Sequence, residues 1–505
     1  MTGRQARATL SLAGIGAVLT LVLGGAPSAG VAAPSPEPGG CDPRSAQVAH
    51  LHYRYGPIHV APGQNLILVG PVTIEKPCYD GYVISMRPNL VREDGTVPPT
   101  DVIHLHHGVF LNASAPRGTE QRFFATGEEK TKLRLPPGYG LPVRGSDTWL
   151  MNYMVHNQTP VPDNVWMTYD IDYVPRNSAL GRRIVPVEPV WMDVENGGAY
   201  PVFDVRRGTG RHARFTYPDQ ARHPYGAGRP KNVWTVPRDG TLVAGAGHVH
   251  PGGLWTDLDL LRRHRAKRIF RSRAHYWDPN GPVSWDMAMG ATLPNWRVSL
   301  HRGDRLRVSA TYETRRASWY ESMGIDLLYM AGPRRAGRNP FHQRVPTGGT
   351  VTHGRLAENF NHGGGAGGLP DPTKLPSGQT IDSRVGIEGF TYTPGNLGTA
   401  GFLGNPPAVA QGQRLRFDNL DWGEQILHTI TACRAPCNKS TGVSYPLANG
   451  GGGFDSGDLG YGPTGLTAAA NRSDWTTPAN LKPGTYTYFC RIHPYMRGAF
   501  RVTPK

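Results

Sequence analysis

The sequence predicts an all-β protein built from β-sandwich domains. Short runs rich in valine, isoleucine, threonine and aromatic residues recur between turn signals, for example at residues 81–86, 149–156 and 164–174. Runs of this kind, separated by glycine and proline, are typical of the strands of sandwich folds. Glycine and proline account for 65 and 46 of the 505 residues, whereas charged residues make up only 18%. No long segment outside the N-terminal region shows a helical period.

The N-terminal segment, residues 1–33, has the pattern of a secretory signal. Arg4 and Arg7 are its charged residues, residues 10–23 form an apolar core, and small residues at 31–33 suit a cleavage site. The apolar run is shorter than the roughly 20 residues needed to span a bilayer, and no later run approaches that length. The sequence therefore predicts a secreted chain with no transmembrane segment after signal removal.

The rest of the chain is too long for one ordinary domain. A glycine- and proline-rich stretch without periodicity predicts a linker at residues 351–380. A weaker boundary signal lies near Asn196. These signals divide the mature chain into two domains before the linker, at 34–196 and 197–350, and a third domain after it, at 381–505.

The chain is basic, with a formal net charge of +16. Many of the cationic residues lie between Arg262 and Arg273. An exported protein rarely meets nucleic acid, so an anionic polymer, a membrane surface or an acidic protein is the more reasonable partner. A solvated basic hairpin with no partner explains the same run equally well.

The strongest functional signal lies at residues 488–496, where Cys490, His493 and Met496 follow a strand-like run. A second histidine, His428, lies in an apolar run further upstream. One thiolate, two imidazoles and a weak axial thioether are the donors of a blue-copper electron-transfer site. The alternative, a buried cysteine beside chance histidine and methionine residues, is much less favoured.

These residues resemble the cupredoxins, and the Cys-x-x-His-x-x-Met spacing is similar to that of the amicyanin type. Residues 390–394 and 407–412 also match the cupredoxin pattern. The resemblance implies a Greek-key β-sandwich at residues 381–505. It also implies one type 1 copper, with the ligands His428, Cys490, His493 and Met496.

Five cysteines in an exported chain leave one without a disulfide partner. With Cys490 assigned to copper, Cys433 and Cys437 lie close together in one loop and are expected to pair. Cys41 and Cys78 remain as a second expected disulfide. Only the parity follows from the sequence, and both pairings are predictions.

Four further groups of candidate metal ligands precede residue 331. On a strand, residues i and i+2 share a face, so His248 and His250 can bind one ion. A thioether from Met323 favours copper in its reduced state over zinc. Taken singly, each group is more often core packing, and it is their order along the chain that carries weight. The groups are His104, His106 and His107; His156; His248 and His250; and Met323.

This ordered series resembles the copper- and ascorbate-dependent monooxygenases, the family of peptidylglycine α-hydroxylating and dopamine β-monooxygenases, over residues 51–330. The resemblance implies two jelly-roll-like sandwiches, each with one type 2 copper, facing each other across a solvent-filled cleft. The first copper stores an electron, and the catalytic second copper binds dioxygen and hydroxylates a substrate C–H bond. The implied ligands are His106, His107 and His156 for the first copper, and His248, His250 and Met323 for the second.

The chain departs from the family pattern at several positions. Gly108 follows the histidine pair where members usually have methionine, and His104 is an extra candidate ligand on the same strand. Ala246 and Leu327 stand where peptide-amidating members have an arginine and a tyrosine. Peptide amidation is therefore not expected, and the substrate is left open.

The sequence thus predicts a secreted monooxygenase with three coppers per chain, acting with dioxygen on a small-molecule or polymer substrate. Ascorbate or a redox protein would supply electrons, and the fused cupredoxin would pass them on at high effective concentration. A non-catalytic copper-binding or electron-transfer protein is the first alternative. A multicopper oxidase or copper nitrite reductase is less favoured, because Phe489 and Arg491 rather than histidines flank Cys490. A histidine-brace enzyme is disfavoured, since signal cleavage would leave Pro34 first.

Overall fold

The chain folds into β-strands joined by turns in the computed structural model, which confirms the all-β prediction. Among the described residues there is no α-helix, and so no helix that is long and apolar enough to cross a bilayer. Short 3₁₀ turns occur at Gly181–Arg183, Ala357–Phe360 and Asp421–Glu424. The predicted signal, residues 1–33, lies outside the described residues. The structure describes residues 47–505 except 65–68, 116–120, 196–200, 226–227, 279–280, 316, 334–336, 361–369, 382–383, 398–404, 425, 434, 436–452 and 461–471.

Ten strands form the N-terminal part: β1 Ala49–Val60, β2 Val69–Ile74, β3 Gly81–Val91, β4 Ile103–Asn112, β5 Gln121–Thr126, β6 Leu133–Arg134, β7 Tyr139–Val143, β8 Trp149–Asn157, β9 Asp163–Pro175 and β10 Val185–Asp193. One sheet has the strand order β2-β8-β4-β5, and a larger sheet begins with β1-β9-β3-β7-β10. Side chains from both sheets, among them Leu105, Phe110 and Tyr169, share one hydrophobic core, as in a sandwich.

Twelve strands follow: β11 Phe203–Val205, β12 Arg214–Tyr217, β13 Val233–Thr235, β14 Gly240–His248, β15 Gly253–Arg262, β16 Arg265–Tyr276, β17 Met287–Thr292, β18 Val298–Leu300, β19 Arg305–Glu313, β20 Trp319–Ser322, β21 Ile325–Ala331 and β22 Gly349–Val351. The large sheet continues through them in the order β10-β21-β14-β17-β16-β15-β19-β12. A second core contains the fully buried Trp296 and Phe270. Because β10 pairs along its length with β21, the two parts share one continuous sheet.

The C-terminal part contains eight strands: β23 Arg384–Glu388, β24 Thr391–Thr393, β25 Ala408–Ala410, β26 Arg416–Asn419, β27 Thr431–Cys433, β28 Asp474–Thr476, β29 Gly484–Phe489 and β30 Arg497–Thr503. They form two four-stranded sheets, β24-β23-β26-β28 and β25-β30-β29-β27. Phe417, Tyr488 and Phe500 are fully buried in their common core. The predicted sandwich architecture is confirmed here, and the described residues all fall within one compact unit, Gly39–Lys505.

Residues of the predicted linker pack against the N-terminal strands. Glu358 accepts a hydrogen bond from the buried Lys130 ammonium at 2.8 Å, and Asn359 is only 1% exposed. Arg355 forms an ion pair with the buried Asp286 at 2.8 Å. The start of residues 351–380 is therefore a packed segment, and the domain boundaries stay predictions.

The cysteine predictions are answered in part. Cys78 and Cys433 are disulfide-bonded, and Cys490 is the free cysteine among the described residues. Their predicted partners, Cys41 and Cys437, lie outside the described residues. The two pairings therefore stay predictions.

The basic run of the sequence forms the hairpin of β15 and β16. Part of its charge is neutralised by buried carboxylates: Arg262 pairs with Asp304 at 2.7 Å, and Arg271 and Arg268 pair with Asp257 at 2.6 and 2.9 Å. Ion pairs of this kind reduce the field that the hairpin presents to a partner. An anionic partner for this surface stays a prediction.

Asp326 is a fully buried acid in β21, where its carboxyl accepts a hydrogen bond from the Thr256 hydroxyl at 2.5 Å. Burial raises the pKa of this carboxyl from 3.8 to about 8. The folded protein therefore holds a proton that the unfolded chain has already released. Because the folded state binds more protons, stability should fall as the pH rises from about 4 to about 8.

We expect Asp326→Asn, which mimics the protonated acid, to remove this loss of stability. At about pH 8 the free energy of unfolding should exceed that of the parent protein by on the order of 5 kcal/mol, with little difference near pH 4. Chemical denaturation at both pH values measures the effect, and Asp219→Asn at an exposed site is the matched control. Parallel pH profiles for the parent protein and the Asp326 variant would contradict the prediction.

Candidate metal centres

The C-terminal sandwich brings together three of the four predicted blue-copper ligands. His428 precedes β27, and Cys490 and His493 lie in the turn between β29 and β30. The Cys490 Sγ atom is 3.9 Å from His428 Nδ1 and 3.8 Å from His493 Nδ1, and the two nitrogens are 3.2 Å apart. All three side chains are fully buried. A thiolate and two imidazoles at these separations fit one copper ion, and we call them the cupredoxin centre after the resemblance seen in the sequence.

Met496, the fourth predicted ligand, is fully buried on the same turn. Its backbone N–H donates to the His493 carbonyl at 2.9 Å, and the Cys490 N–H donates to the Met496 carbonyl at 3.1 Å. These bonds hold the turn in a tight conformation. The axial role of the Met496 thioether stays a prediction.

Neighbouring groups fix the orientation of the cupredoxin ligands. His428 Nε2 lies 2.9 Å from an Asp421 carboxylate oxygen, so Nδ1 is the nitrogen that faces Cys490. The backbone N–H groups of Thr429 and His493 donate to the Cys490 sulfur at 3.3 and 3.4 Å. Partners of this kind set the tautomer of a ligating histidine and the electron density on a ligating sulfur.

The protonation state of Cys490 favours metal binding. Burial raises the pKa of the Cys490 thiol, but hydrogen bonds and charge from His428 and His493 hold it well below its ordinary value. Burial lowers the pKa of His428, but Asp421 and Cys490 raise it overall. The thiolate is the form of cysteine that binds metals, so the chain itself prepares the ligand.

The remaining predicted histidines meet in one cluster. The ligating atoms of His104, His106 and His156 lie within 4.8 Å of one another, as do those of His106, His107 and His250. The Nε2 atoms of His107 and His250 are 2.9 Å apart. The centroid of the His248 ring lies 5.3 Å from that of the His107 ring. We call the six residues the histidine cluster: His104, His106, His107, His156, His248 and His250.

This grouping differs from the sequence-based expectation of two copper sites across a solvent-filled cleft. The two triads share His106, so the sites adjoin. His104 belongs with His106 and His156, whereas His107 lies beside His250. The predicted division of ligands between a first and a second copper is therefore not the one that these distances favour, and the role of each histidine as a ligand stays a prediction.

A β-bulge in β4 explains why consecutive histidines can meet. Strand β4 pairs with β8 through His104↔His156 and Leu105↔Val155, and then resumes at His107↔Met154, so His106 is an extra residue. In a regular strand, neighbouring residues point to opposite faces. The extra residue shifts this alternation and lets His107 turn towards the same cluster as His106.

His248 and His250 enter the cluster from the end of β14, with ring centroids 5.2 Å apart. His248 Nδ1 lies 2.8 Å from a carboxylate oxygen of Glu129, whose side chain is 1% exposed. Glu129 in turn accepts a hydrogen bond from the Gly127 N–H at 3.1 Å. A carboxylate on Nδ1 leaves Nε2 available to a metal, so Glu129 holds His248 in an orientation that suits a ligand.

The free ring nitrogens of the cluster fit metal binding. The Nε2 atoms of His104, His156 and His248 are buried and have no hydrogen-bond partner among the described residues. Buried polar atoms without a partner are uncommon in folded proteins because they cost free energy. A metal ion supplies the missing partner, and nitrogen donors suit copper.

The pKa values of these histidines are lowered. Burial lowers the pKa of His104 to about 4. Burial and then the neighbouring imidazoles hold the pKa values of His106, His107 and His250 well below the ordinary value. These rings are therefore neutral near pH 7, which is the form that binds metals.

Met323 lies close to the cluster through its backbone. The Tyr312 hydroxyl accepts hydrogen bonds from the backbone N–H groups of His250 and Met323, at 3.1 and 2.9 Å. The Met323 side chain packs in a small hydrophobic group with Met154 and Ile325. Its role as a copper ligand stays a prediction.

An apolar cavity of about 70 Å³ adjoins the histidine cluster. His107 and His248 form part of its wall. Most of the remaining wall is apolar and comes from strands of both N-terminal sandwiches, with contributions from Phe124, Trp191, Ala246, Leu327 and Tyr329. A small apolar group in this cavity would lie against two of the candidate ligands.

The C-terminal sandwich packs beside the histidine cluster. Arg491, next to Cys490, donates to the Ser318 carbonyl at 2.8 Å and lies over the Tyr320 ring. The His493 Nε2–H donates to the Gly63 carbonyl at 3.1 Å. One turn of the cupredoxin centre therefore contacts both N-terminal sandwiches.

A second cavity, of about 130 Å³, lies between the cupredoxin centre and the cluster. It is lined on one side by residues of the cluster. On the other side it is lined by residues that adjoin the cupredoxin ligands, such as Thr429, Arg491 and Ile492. Asp458 and Glu321 add carboxylates to the wall. We call it the interface cavity; its cluster residues are His104, His106, His156 and His250.

Several residues of the site could not be identified from the sequence. Asp421 lies seven residues before His428, and Glu129 lies far from His248 in sequence, so neither forms a recognisable motif with its histidine. Gly63 contacts His493 across 430 positions. An acidic residue shortly before the His428 run was the one weak signal available, since ligating histidines commonly bond a carboxylate.

Comparisons with known proteins find no matching family model and no matching curated protein. Among solved structures, the chain is similar to a copper-containing nitrite reductase from Thermus scotoductus SA-01, at 14% identity and a TM-score of 0.16, over 52% of this chain and 55% of that one. It is also similar to the STIV MCP, at 9% identity and a TM-score of 0.26, over 56% and 97%. Vicilin from Solanum lycopersicum (tomato) matches at 8% identity and a TM-score of 0.10, over 57% and 76%. Superpositions at these scores establish neither a shared fold nor a shared function.

Proposed function

We propose that this chain is a secreted copper-dependent monooxygenase that hydroxylates a C–H bond of an apolar substrate with dioxygen. The histidine cluster would hold the reacting coppers, and the cupredoxin centre would hold a third copper that supplies electrons. Copper bound at these residues would provide one-electron redox chemistry and activation of dioxygen. The observation that carries the proposal is the apolar cavity that contacts His107 and His248.

The cavity supports hydroxylation because it can hold an apolar substrate group next to His107 and His248. An enzyme that only collects electrons from its substrate needs no substrate pocket at the oxygen-activating site. Here the wall combines Phe124, Leu327 and Ala246 with two candidate ligands, so an apolar group can lie beside the reacting centre.

The chain's own residues have distinct tasks in this scheme. Glu129 holds the His248 ring so that Nε2 faces the cluster, and Asp421 does the same for His428. Arg491 and its contact with Ser318 keep the electron-supplying sandwich in place. Positioning of this kind is the main contribution of the protein when metals carry the chemistry.

We expect Ala246→Phe to fill the apolar cavity and block hydroxylation. Copper-loaded protein would be incubated with ascorbate and isotopically labelled dioxygen and with a panel of small apolar molecules that suit a cavity of about 70 Å³, such as ethane and propane. Labelled hydroxylated product should fall by about tenfold or more in the variant, because the added ring occupies the space of the substrate. Copper content should stay unchanged.

Ala266→Phe, at an exposed site in β16, is the matched control and should leave product formation unchanged. Absence of any labelled product from the parent protein, with both centres loaded, would contradict the proposed hydroxylation. Equal product from the parent protein and the Ala246 variant would contradict the assignment of the cavity.

A second candidate function is oxidation of an electron donor coupled to the reduction of dioxygen, as in a multicopper oxidase. The 2.9 Å separation of His107 and His250 and the shared His106 favour it, because they bring the candidate copper positions together. In that case dioxygen would be consumed with ascorbate alone, without hydroxylated product. Filling the apolar cavity would then leave the rate of dioxygen consumption unchanged.

A further inference from the structure

The turn formed by residues 61–64 lies between the cupredoxin centre and the histidine cluster. On one side, the Gly63 carbonyl accepts a hydrogen bond from His493 Nε2–H at 3.1 Å. On the other side, the Gln64 carbonyl accepts a hydrogen bond from the backbone N–H of Asn157 at 2.8 Å. Asn157 directly follows His156, a member of the cluster. The turn is thus bonded to one candidate ligand and to the neighbour of another.

These contacts make a continuous bonded route. From the His493 ring it crosses one hydrogen bond to Gly63, follows the backbone to the Gln64 carbonyl, and crosses a second hydrogen bond to Asn157. The peptide bond to His156 completes it. Electronic coupling between redox centres decays less steeply through covalent and hydrogen bonds than across open space. The interface cavity lies between the same two sites.

The turn is held firmly against the strand that carries His156. The Gly63 N–H donates to the Thr159 carbonyl at 2.8 Å, and the Asn157 side-chain amide donates to the carbonyls of Ala61 and Val161 at 3.0 and 2.7 Å. The bonds of Gly63 and Ala61 fix the distance between residues 61–64 and the end of β8, and the bond to Val161 holds the Asn157 side chain in place. The turn therefore moves with the cluster and presents a fixed acceptor to His493.

Glycine is required at position 63 for two separate reasons. Its φ angle of +59° lies in the left-handed region that favours glycine. A Cβ atom there would overlap the Phe390 ring and lie 3.2 Å from His493 Nε2. Phe390 packs against both His428 and His493, so displacing it would push the cupredoxin centre away from the turn.

We propose that the Gly63–Gln64 peptide couples the cupredoxin centre to the histidine cluster, with Gly63 as the positioning residue. In the coupled step one electron leaves a cuprous ion held by His428, Cys490 and His493, which becomes cupric, and reduces a cupric ion held by the cluster. No bond forms or breaks, and no proton moves. The inference rests on copper at both centres, as the proposed function does, but it does not require hydroxylation.

The test is the rate of electron transfer within the fully copper-loaded chain, without dioxygen or substrate. A photogenerated one-electron donor reduces the cupredoxin copper, and the return of its blue absorption reports transfer to the cluster. We expect a phase whose rate is independent of protein concentration, and Gly63→Ala should slow it by about tenfold or more. Copper content and the blue spectrum before the flash should be unchanged.

Gly95→Ala is the matched control, because Gly95 also has a left-handed φ, of +83°, but no atom lies within 4 Å of an added Cβ. The control should transfer electrons at the parental rate; equal slowing of both variants would overturn the proposal, as would an unchanged rate in Gly63→Ala. If the Gly63 variant does not fold, Asn157→Ala loosens the turn without adding bulk and should also slow transfer. Absence of the phase in the parent protein overturns the coupling even where labelled product is formed with ascorbate.

Discussion

Replacing His106 with alanine is expected to empty the histidine cluster of copper and leave the cupredoxin centre blue. His106 is the residue that both triads share, so its loss removes a donor from each candidate copper position. We expect copper affinity at the cluster to fall by on the order of 100-fold or more, since even the loss of a residue that orients a ligand costs 10–100-fold. Hydroxylated product should disappear with it.

Copper content per chain, visible absorption and paramagnetic resonance measure the outcome together. The type 2 signals should be lost while the blue band keeps its intensity. His50→Ala is the matched control, because the His50 side chain is 77% exposed and bonded to Asp172, far along the chain from any cluster contact. Retention of full copper content in His106→Ala would contradict the assignment of the cluster as a metal site.

Cys490→Ser is expected to abolish the blue absorption and to lower the copper content by one per chain. A serine hydroxyl is a hard donor that stays protonated near neutral pH, so it cannot replace the thiolate of the cupredoxin centre. The histidine cluster should keep its copper. Turnover driven by a protein reductant should fall by on the order of 100-fold, because electrons would have to reach the cluster without passing through the cupredoxin centre.

Met496→Leu is the comparison that distinguishes loss of the thiolate from a change in the turn that carries it. This variant keeps Cys490, His428 and His493 and conserves side-chain volume, so it should stay blue with a shifted reduction potential. Metal analysis and redox titration compare the two variants. Unchanged turnover in Cys490→Ser with the protein reductant would show that the cupredoxin centre does not feed the cluster.

The fold class and the proximity of His428, Cys490 and His493 could be predicted from sequence because both depend on local patterns. Alternating runs and turn residues indicate strands, and the Cys-x-x-His-x-x-Met spacing lies within one turn that brings Cys490 and His493 within 3.8 Å. His428 was found for the same reason, as a single histidine in an apolar run. A short pattern of metal-binding residue types can be recognised in the sequence without knowledge of the rest of the fold.

The arrangement of the histidine cluster could not be predicted in the same way. Whether His104, His106 and His107 face one way depends on the bulge in β4, and nothing in the local sequence specifies where a strand gains an extra residue. The separation of the two candidate sites depends on how β14 meets β4 in space. The contact of His493 with Gly63 joins residues 430 positions apart, which no spacing rule can reveal.

The bulge in β4 also means that the donor shared by both triads is a residue that a regular strand would not contain. Leu105 and Phe110 both lie in the hydrophobic core although they are five positions apart, an odd interval that only one additional residue permits. The extra residue is His106 itself, so deleting it would remove the donor that both triads share, while His107 would keep its place opposite Met154. Loss of this single codon would take one donor from each triad and leave the rest of the strand in register.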